Sequence, residues 1–238
     1  RAVAFVWPAA SPSDDGDLSS AGVGHGFAFL PRTTIAVGGQ GEALMQDMSM
    51  LSPALDTLPR VFTLSDLKQL QPEESERALD CVLRWLESGV VKQVAPPRPV
   101  FYRVVLGDPL SDEDRCRALQ RAFPSLVMVA GSALWRQGLS RQQDSVLECC
   151  VAEVELSCHL PDVRLHWRPP AWWSVIRLAG GIAGDYHGVP MLNAELALAD
   201  ASTFAGVWMP DREAVDWSRL STARLSEASD YLRKLRPR

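Results

Sequence analysis

The segment from Phe62 to Val105 constrains the fold of this chain more than any other stretch. Between Glu73 and Ser88 apolar residues recur every three to four positions, which predicts a helix with one buried face. These residues are Leu79, Val82, Leu83 and Leu86. Pro72 suits the first turn of this helix, because the N–H that proline lacks would have no partner there. Gly89 then ends the helix.

Shorter elements flank this helix on both sides. A preceding helix is predicted from Ser65 to Leu70, with Thr63 or Ser65 as its cap. After Gly89, the runs 90–94 and 100–105 are rich in β-branched and aromatic residues, and the prolines between them cannot continue a strand pair. The segment 48–58 supplies a first helix. Helix, turn, helix and hairpin is the order of a winged helix-turn-helix, which we predict over residues 45–106.

This order predicts a DNA-binding surface, because a helix held across a short turn can enter a major groove while hairpin cations reach phosphates. The side chains expected opposite the apolar face are Glu73, Glu74, Arg77, Cys81 and Arg84. We predict that Arg77 and Arg84 face the groove and that Lys92, Arg98 and Arg103 bind phosphates. Residues 45–106 hold 7 Lys and Arg against 8 Asp and Glu, a net charge of −1, so the electrostatic contribution to DNA binding is expected to be small.

Composition and charge restrict the classes of protein to which this chain can belong. The 238 residues are 47% hydrophobic and 22% charged, as in ordinary globular proteins. The net charge of −5 argues against a general polyanion binder. No apolar run approaches the ~20 residues that span a bilayer. Five cysteines, two of them within helical patterns, are consistent with reduced thiols, and the cytoplasm is the expected location.

Residues outside the predicted winged helix fall into two further regions. Residues 1–44 are dense in turn-forming residues without a sustained period, which predicts a disordered leader. Residues 107–238 predict an α/β domain with a helical tail. In it Ser111 and Asn193 are expected to cap helices. Strict alternation over 163–168 predicts a half-buried strand with Val163, Leu165 and Trp167 inward and Arg164, His166 and Arg168 outward. Residues 172–178 are expected to form another short strand.

Two segments of this second domain carry a family resemblance. Gly131-Ser132-Ala133-Leu134 followed by Gly138-Leu139 resembles the Gly-x-Ser-Ala-Leu…Gly-Leu segment of the AbiEi family of type IV toxin–antitoxin antitoxins. The stretch from Gly188 to Asp200 is similar to the family's Gly-apolar-Pro…Glu-x-Ala-Leu-x-Asp segment. With the predicted winged helix, the resemblance covers roughly residues 48–225. It implies an α+β fold, an N-terminal winged helix followed by an α/β antitoxin-like domain.

The resemblance also implies a function. AbiEi-type antitoxins are transcriptional repressors that bind the promoter of their own operon, serve in phage defence, and counteract a nucleotidyltransferase-like toxin without needing to contact it. Winged-helix repressors often bind inverted repeats in pairs, so a dimer on operator DNA is one expectation. No cofactor, membrane contact or enzymatic activity is expected. The acidic start of the predicted recognition helix leaves two alternatives open: a protein-docking module, and a regulator without a toxin partner.

Two kinds of metal chemistry are alternatives to this interpretation. Asp144, Glu153 and Glu155 suggest a nuclease metal site, but such a site usually needs a nearby lysine, and the chain has none between residues 93 and 233. Cys149, Cys150, Cys158 and His159 suggest zinc, but the paired ligand spacing is absent. Neighbouring strand residues also point to opposite faces. We therefore expect buried core cysteines and no metal.

Overall fold

The computed structural model describes residues 55–96 and 98–235. The predicted leader and most of the predicted first helix lie outside them. The strands are Val61–Thr63 (β1), Val91–Gln93 (β2), Val100–Arg103 (β3), Val127–Met128 (β4), Leu147–Val151 (β5), Val163–Trp167 (β6), Ile182–Tyr186 (β7) and Val189–Leu192 (β8). The α-helices are Leu64–Leu70 (α1), Ala78–Glu87 (α2), Asp112–Ala122 (α3), Ala130–Arg136 (α4), Pro170–Leu178 (α5), Ala194–Thr203 (α6) and Thr222–Arg233 (α7). Short 3-10 helices span Pro72–Arg77, Arg212–Ala214 and Trp217–Arg219.

The fold is α+β with two sheets, as the sequence predicted at this level. The first sheet has the antiparallel order β1-β3-β2. Its side chains alternate between two cores, because successive strand residues point to opposite faces. Phe62 and Phe101 join a small core under α1 and α2, whereas Val61, Val100 and Tyr102 join the large core of the rest of the chain.

The second sheet is mixed, with the order β6-β5-β4-β8-β7. β5 pairs in parallel with β6 and antiparallel with β4, while β7 and β8 form a hairpin. Every residue of β5 is buried, so both faces of the sheet are covered here. Helix α6, made largely of Ala and Leu, is buried along most of its length between α4 and α7. Ser111 and Asn193 cap α3 and α6, as predicted.

One element of this region differs from the prediction. Residues 170–178 form helix α5, not a strand. Pro169 and Pro170 start the helix, since a proline at the first helical position loses no hydrogen bond. Trp172 and Ile176, one turn apart, are its buried residues. The apolar run suggested a strand because the helical spacing within it involves only two positions.

The helices and the cysteines bear on two expectations from the sequence, that no segment spans a membrane and that the thiols are reduced. Among the described residues no helix has both the length and the apolar character required to cross a bilayer. All five cysteines lie in the described ranges and are free thiols. Burial raises the pKa of Cys149 and Cys150 well above its ordinary value. These two thiols are therefore protonated core side chains.

Candidate nucleic-acid interface

Helix α2 presents a different face to solvent than its sequence pattern predicted. Its buried residues are Ala78, Cys81, Val82 and Trp85. Trp85 packs edge-on against Phe62, with 6.2 Å between ring centroids. Leu79 and Leu83, predicted to be inside, are 52% and 47% exposed. The prediction was therefore wrong about which face of the helix is buried. One reason is that the indole of Trp85 occupies the core, and another is that residues 72–77 form a 3-10 helix, which has fewer residues per turn than α2.

The exposed face of α2 therefore mixes charged and apolar side chains. Arg77 and Arg84 are exposed, as expected, but Cys81 is buried and is unavailable for contact. Exposed acidic residues accompany the arginines on this side of the module, namely Glu73, Glu76, Asp80 and Glu87. The surface consequently has two cations, two leucines and an acidic surround.

The three hairpin cations have different environments. Lys92 is exposed on β2 and has no ion-pair partner among the described residues. Arg103 ends β3 and lies 3.7 Å from the carboxylate of Asp56. Arg98, in the β2–β3 connection, lies 3.8 Å from the carboxylate of Glu153 in the second half of the chain. Of the predicted phosphate ligands, Lys92 has the charge that is least compensated.

The tip of the hairpin packs against the rest of the protein. Val94 and Ala95 are fully buried in the large core. The backbone N–H of His159 donates to the carbonyl of Val94 at 2.7 Å. A tip held in this way has little surface left for a groove. The structure thus leaves Arg77, Arg84 and Lys92 as the exposed members of the predicted set, on consecutive elements joined by a turn at Gly89.

Strand β6 carries buried charge networks that the sequence did not reveal. Arg164 donates to the fully buried Glu148 carboxylate at 2.6 Å, and the ring of His166 contacts its other oxygen. Trp167, predicted inside, is 42% exposed, whereas Arg168, predicted outside, is 3% exposed. The outward polar face predicted here is confirmed for Arg164, whose side chain is 50% exposed, and is wrong for Arg168 and for Trp167. The exposed guanidinium of Arg164 nevertheless reaches the buried carboxylate of Glu148 on the neighbouring strand.

Arg168 takes part in a second buried network. Its Nε and Nη2 atoms donate to the two carboxylate oxygens of Asp200 at 2.9 and 2.6 Å. The indole N–H of Trp172 donates to Asp200 at 2.7 Å, and the Arg168 guanidinium lies 4.3 Å from the ring centroid of Phe204. An acidic residue inside an apolar stretch was the available signal for both networks, because buried carboxylates need partners.

No family model matches the chain, and no curated protein matches it. Among solved structures, the chain is similar to the RV2827C protein from Mycobacterium tuberculosis, with 17% sequence identity and a TM-score of 0.45. The match covers 80% of this chain and 76% of that one.

Proposed function

We propose that this chain is a DNA-binding transcriptional repressor that uses residues 45–106 as a winged helix and α2 as its recognition helix. The observation that carries the proposal is the order β1, α1, 3-10 turn, α2, β2, β3, in which β1 completes a sheet with the β2–β3 hairpin. That is the order of helix, turn, helix and wing, and in it the helix after the turn is the one that enters the groove. Arg77 and Arg84 are exposed on this helix and the turn that leads into it.

We also propose that the repressor is the antitoxin of a type IV toxin–antitoxin operon and binds its own promoter. This part draws on the resemblance of segments 131–139 and 188–200 to AbiEi antitoxins. The final Asp of the second segment, Asp200, is the buried partner of Arg168. A motif residue that forms a buried ion pair stabilises the domain. The match at Asp200 therefore supports a fold shared with AbiEi antitoxins more than it supports binding to the same kind of operator DNA.

The number of exposed cations sets a limit on the salt dependence of DNA binding. Arg98 and Arg103 lie near carboxylates and are only partly exposed, whereas Arg77, Arg84 and Lys92 are exposed. Even if all three neutralised phosphates, the slope of log K against log salt would be about −3. Acidic neighbours of the arginines reduce it further. A slope of about −6 or steeper would show that another basic surface binds the DNA.

The test is a gel-shift titration against the DNA upstream of the gene and against an unrelated duplex of equal length, at two salt concentrations. Wild-type protein should prefer the upstream duplex. Arg77→Ala/Arg84→Ala should weaken that preference, with about 1–3 kcal/mol lost per base-contacting arginine. Arg177→Ala, an exposed arginine on α5, is the matched control and should bind normally. Unchanged affinity of the double variant would exclude α2 as the reading surface.

A second candidate function, docking of a protein partner, is favoured by the exposed Leu79 and Leu83. Apolar side chains ringed by acidic residues fit a partner with apolar anchors and a basic rim. The nucleotidyltransferase-like protein expected in the same operon is the partner to test by co-purification. Leu79→Ser/Leu83→Ser should abolish retention, and Leu178→Ser, which removes a leucine that is 88% exposed on α5, should not. Equal retention of all three proteins would exclude this surface.

A further inference from the structure

A small crevice in the second half of the chain gathers polar side chains from four parts of the fold. It lies between the first turn of α3, helix α4, the residues leading into β5, and the end of β7, and it encloses about 80 Å³. One water molecule needs about 15 Å³ or less by this kind of measure, so a group of several heavy atoms fits. The polar side chains used below are Asp112, Arg115, Arg136, Asp144 and Tyr186.

Arg136 is held in a fixed orientation on one wall of this crevice. Its guanidinium lies 3.8 Å from the ring centroid of Tyr186 and donates to Asp112 at 3.0 Å. The hydroxyl of Tyr186 donates to the same carboxylate oxygen at 2.6 Å. This bond and the two nearby arginines keep the pKa of Asp112 below its ordinary value. A guanidinium fixed by stacking and a carboxylate loses little entropy when it binds a further acceptor.

Arg115 supplies a second guanidinium whose donors remain available. It lies 3.8 Å from Asp112, beyond hydrogen-bonding distance, and its side chain makes no hydrogen bond with any described residue. It is nevertheless only 21% exposed. Two arginines therefore share the single charge of Asp112, and the cluster formed by these three residues has a net charge of +1.

Asp144 adds a carboxylate to the same lining. One of its oxygens accepts the backbone N–H of Val146 at 3.1 Å. A carboxylate on the same lining as two arginines would repel an anion that has no proton and could accept a hydrogen bond from an anion that has one. The crevice therefore combines guanidinium donors with a carboxylate acceptor.

We propose that this crevice binds a terminal phosphate group that carries a proton, with Arg115 and Arg136 donating to its oxygens and Asp144 accepting its P–OH. Arginine matches the geometry of a phosphate with paired N–H donors. The second pKa of a phosphate monoester is about 6, so about half of such groups carry the proton at pH 6. The small volume admits the end of a molecule, which excludes a phosphodiester in the middle of a strand.

The first test is a calorimetric titration of the full chain with inorganic phosphate at pH 6. Wild type should bind saturably, and Arg115→Gln should weaken binding at least tenfold. Because the Arg115 side chain makes no hydrogen bond within the described part of the protein, this change should leave thermal stability nearly unaltered. Arg117→Gln is the matched control on the same helix, since Arg117 pairs with Glu113 and Asp114 outside the crevice, and it should bind phosphate normally. Absence of binding at 10 mM phosphate, or equal losses in both variants, would overturn the proposal.

Sulfate tests the part assigned to Asp144, because it has the shape of phosphate but no proton at pH 6. Wild type should bind sulfate at least tenfold more weakly than phosphate, and Asp144→Asn should reduce that difference. Equal affinity of the wild type for both ions would remove Asp144 from the site.

The phosphate group can come from two sources, a small phosphorylated molecule or the 5′ end of a nucleic-acid strand. A short oligonucleotide with and without a 5′ phosphate separates them. If the 5′ phosphate adds affinity and Arg115→Gln removes the gain, the strand end is the source. If the oligonucleotide gains nothing while inorganic phosphate binds, the site is one for small phosphates.

Discussion

Replacing Asp200 with Asn would test the energetic importance of the buried Arg168–Asp200 pair. Asp200 is fully buried and accepts three hydrogen bonds, two from Arg168 and one from Trp172. Burial by itself would lower the pKa of Arg168, but the hydrogen bonds and charge of Asp200 raise it above the ordinary arginine value. Because a guanidinium keeps its proton even inside a protein, Arg168 stays charged when residue 200 becomes neutral. The variant leaves a cation in the core without its counter-ion.

The expected loss follows from that uncompensated charge. Removing one partner of a buried ion pair costs about 3–5 kcal/mol of unfolding free energy. For a chain of this size, each kcal/mol lowers the melting temperature by about 2–4 °C, so a fall of about 6–20 °C is expected. The control is Asp230→Asn, because Asp230 and Arg233 form an exposed pair at 3.6 Å with side chains 60% and 50% exposed. Such pairs contribute ~0.5 kcal/mol or less.

Urea unfolding followed by circular dichroism at pH 7 measures both variants on one scale. The double variant Arg168→Met/Asp200→Asn is measured in the same way. It removes the buried positive charge, while the introduced amide keeps an acceptor for the Trp172 indole. The double variant should be more stable than Asp200→Asn alone. A loss below ~1 kcal/mol for Asp200→Asn, or a double variant less stable than the single one, would refute the reasoning.

Three further predictions concern other sites. Burial would raise the pKa of Asp66, but the Thr63 N–H and Arg121 lower it, so its stabilisation is complete above pH ~4 and is lost as pH falls through the lowered value. Asp66→Asn should therefore flatten the acid limb of stability measured by urea unfolding. A Cβ on Gly131 would lie 2.2 Å from the Trp208 ring, so Gly131→Ala should cost about 1–3 kcal/mol, and less in a Trp208→Ala background, by thermal unfolding. Asn193→Ala should lose about 1 kcal/mol in the same assay, because it removes the cap of α6.

The elements that the sequence predicted well are those with signals local to the chain. Ser111 and Asn193 mark helix starts because a side-chain oxygen that accepts an N–H three residues on needs no distant partner. The strand at 163–167 was also predicted, because apolar and polar residues alternate there. Such signals predict where an element begins and what type it is.

The faces of these elements were harder to predict, because a partner far along the chain decides them. Leu83 lies outside and Trp85 inside because Phe62 provides the surface on which α2 packs. Arg168 lies inside because Asp200, 32 residues later, supplies its counter-charge. The pattern of one segment does not contain these partners, so a prediction from sequence assigns arginine to solvent by default.

Helix α3 connects the two surfaces for which functions are proposed. Its first turn contributes Asp112 and Arg115 to the phosphate crevice, and its last turn holds Arg121, whose guanidinium lies 2.5 Å from Asp66 on α1. The helix also packs on β1 and β3. Eleven residues at about 1.5 Å each form one rigid segment of ~16 Å between these ends. A ligand that moves the first turn would therefore also move the first sheet and α1, against which α2 packs. If both proposals hold, phosphate should change operator affinity, and DNA must then change phosphate affinity by the same factor, because binding linkage is reciprocal.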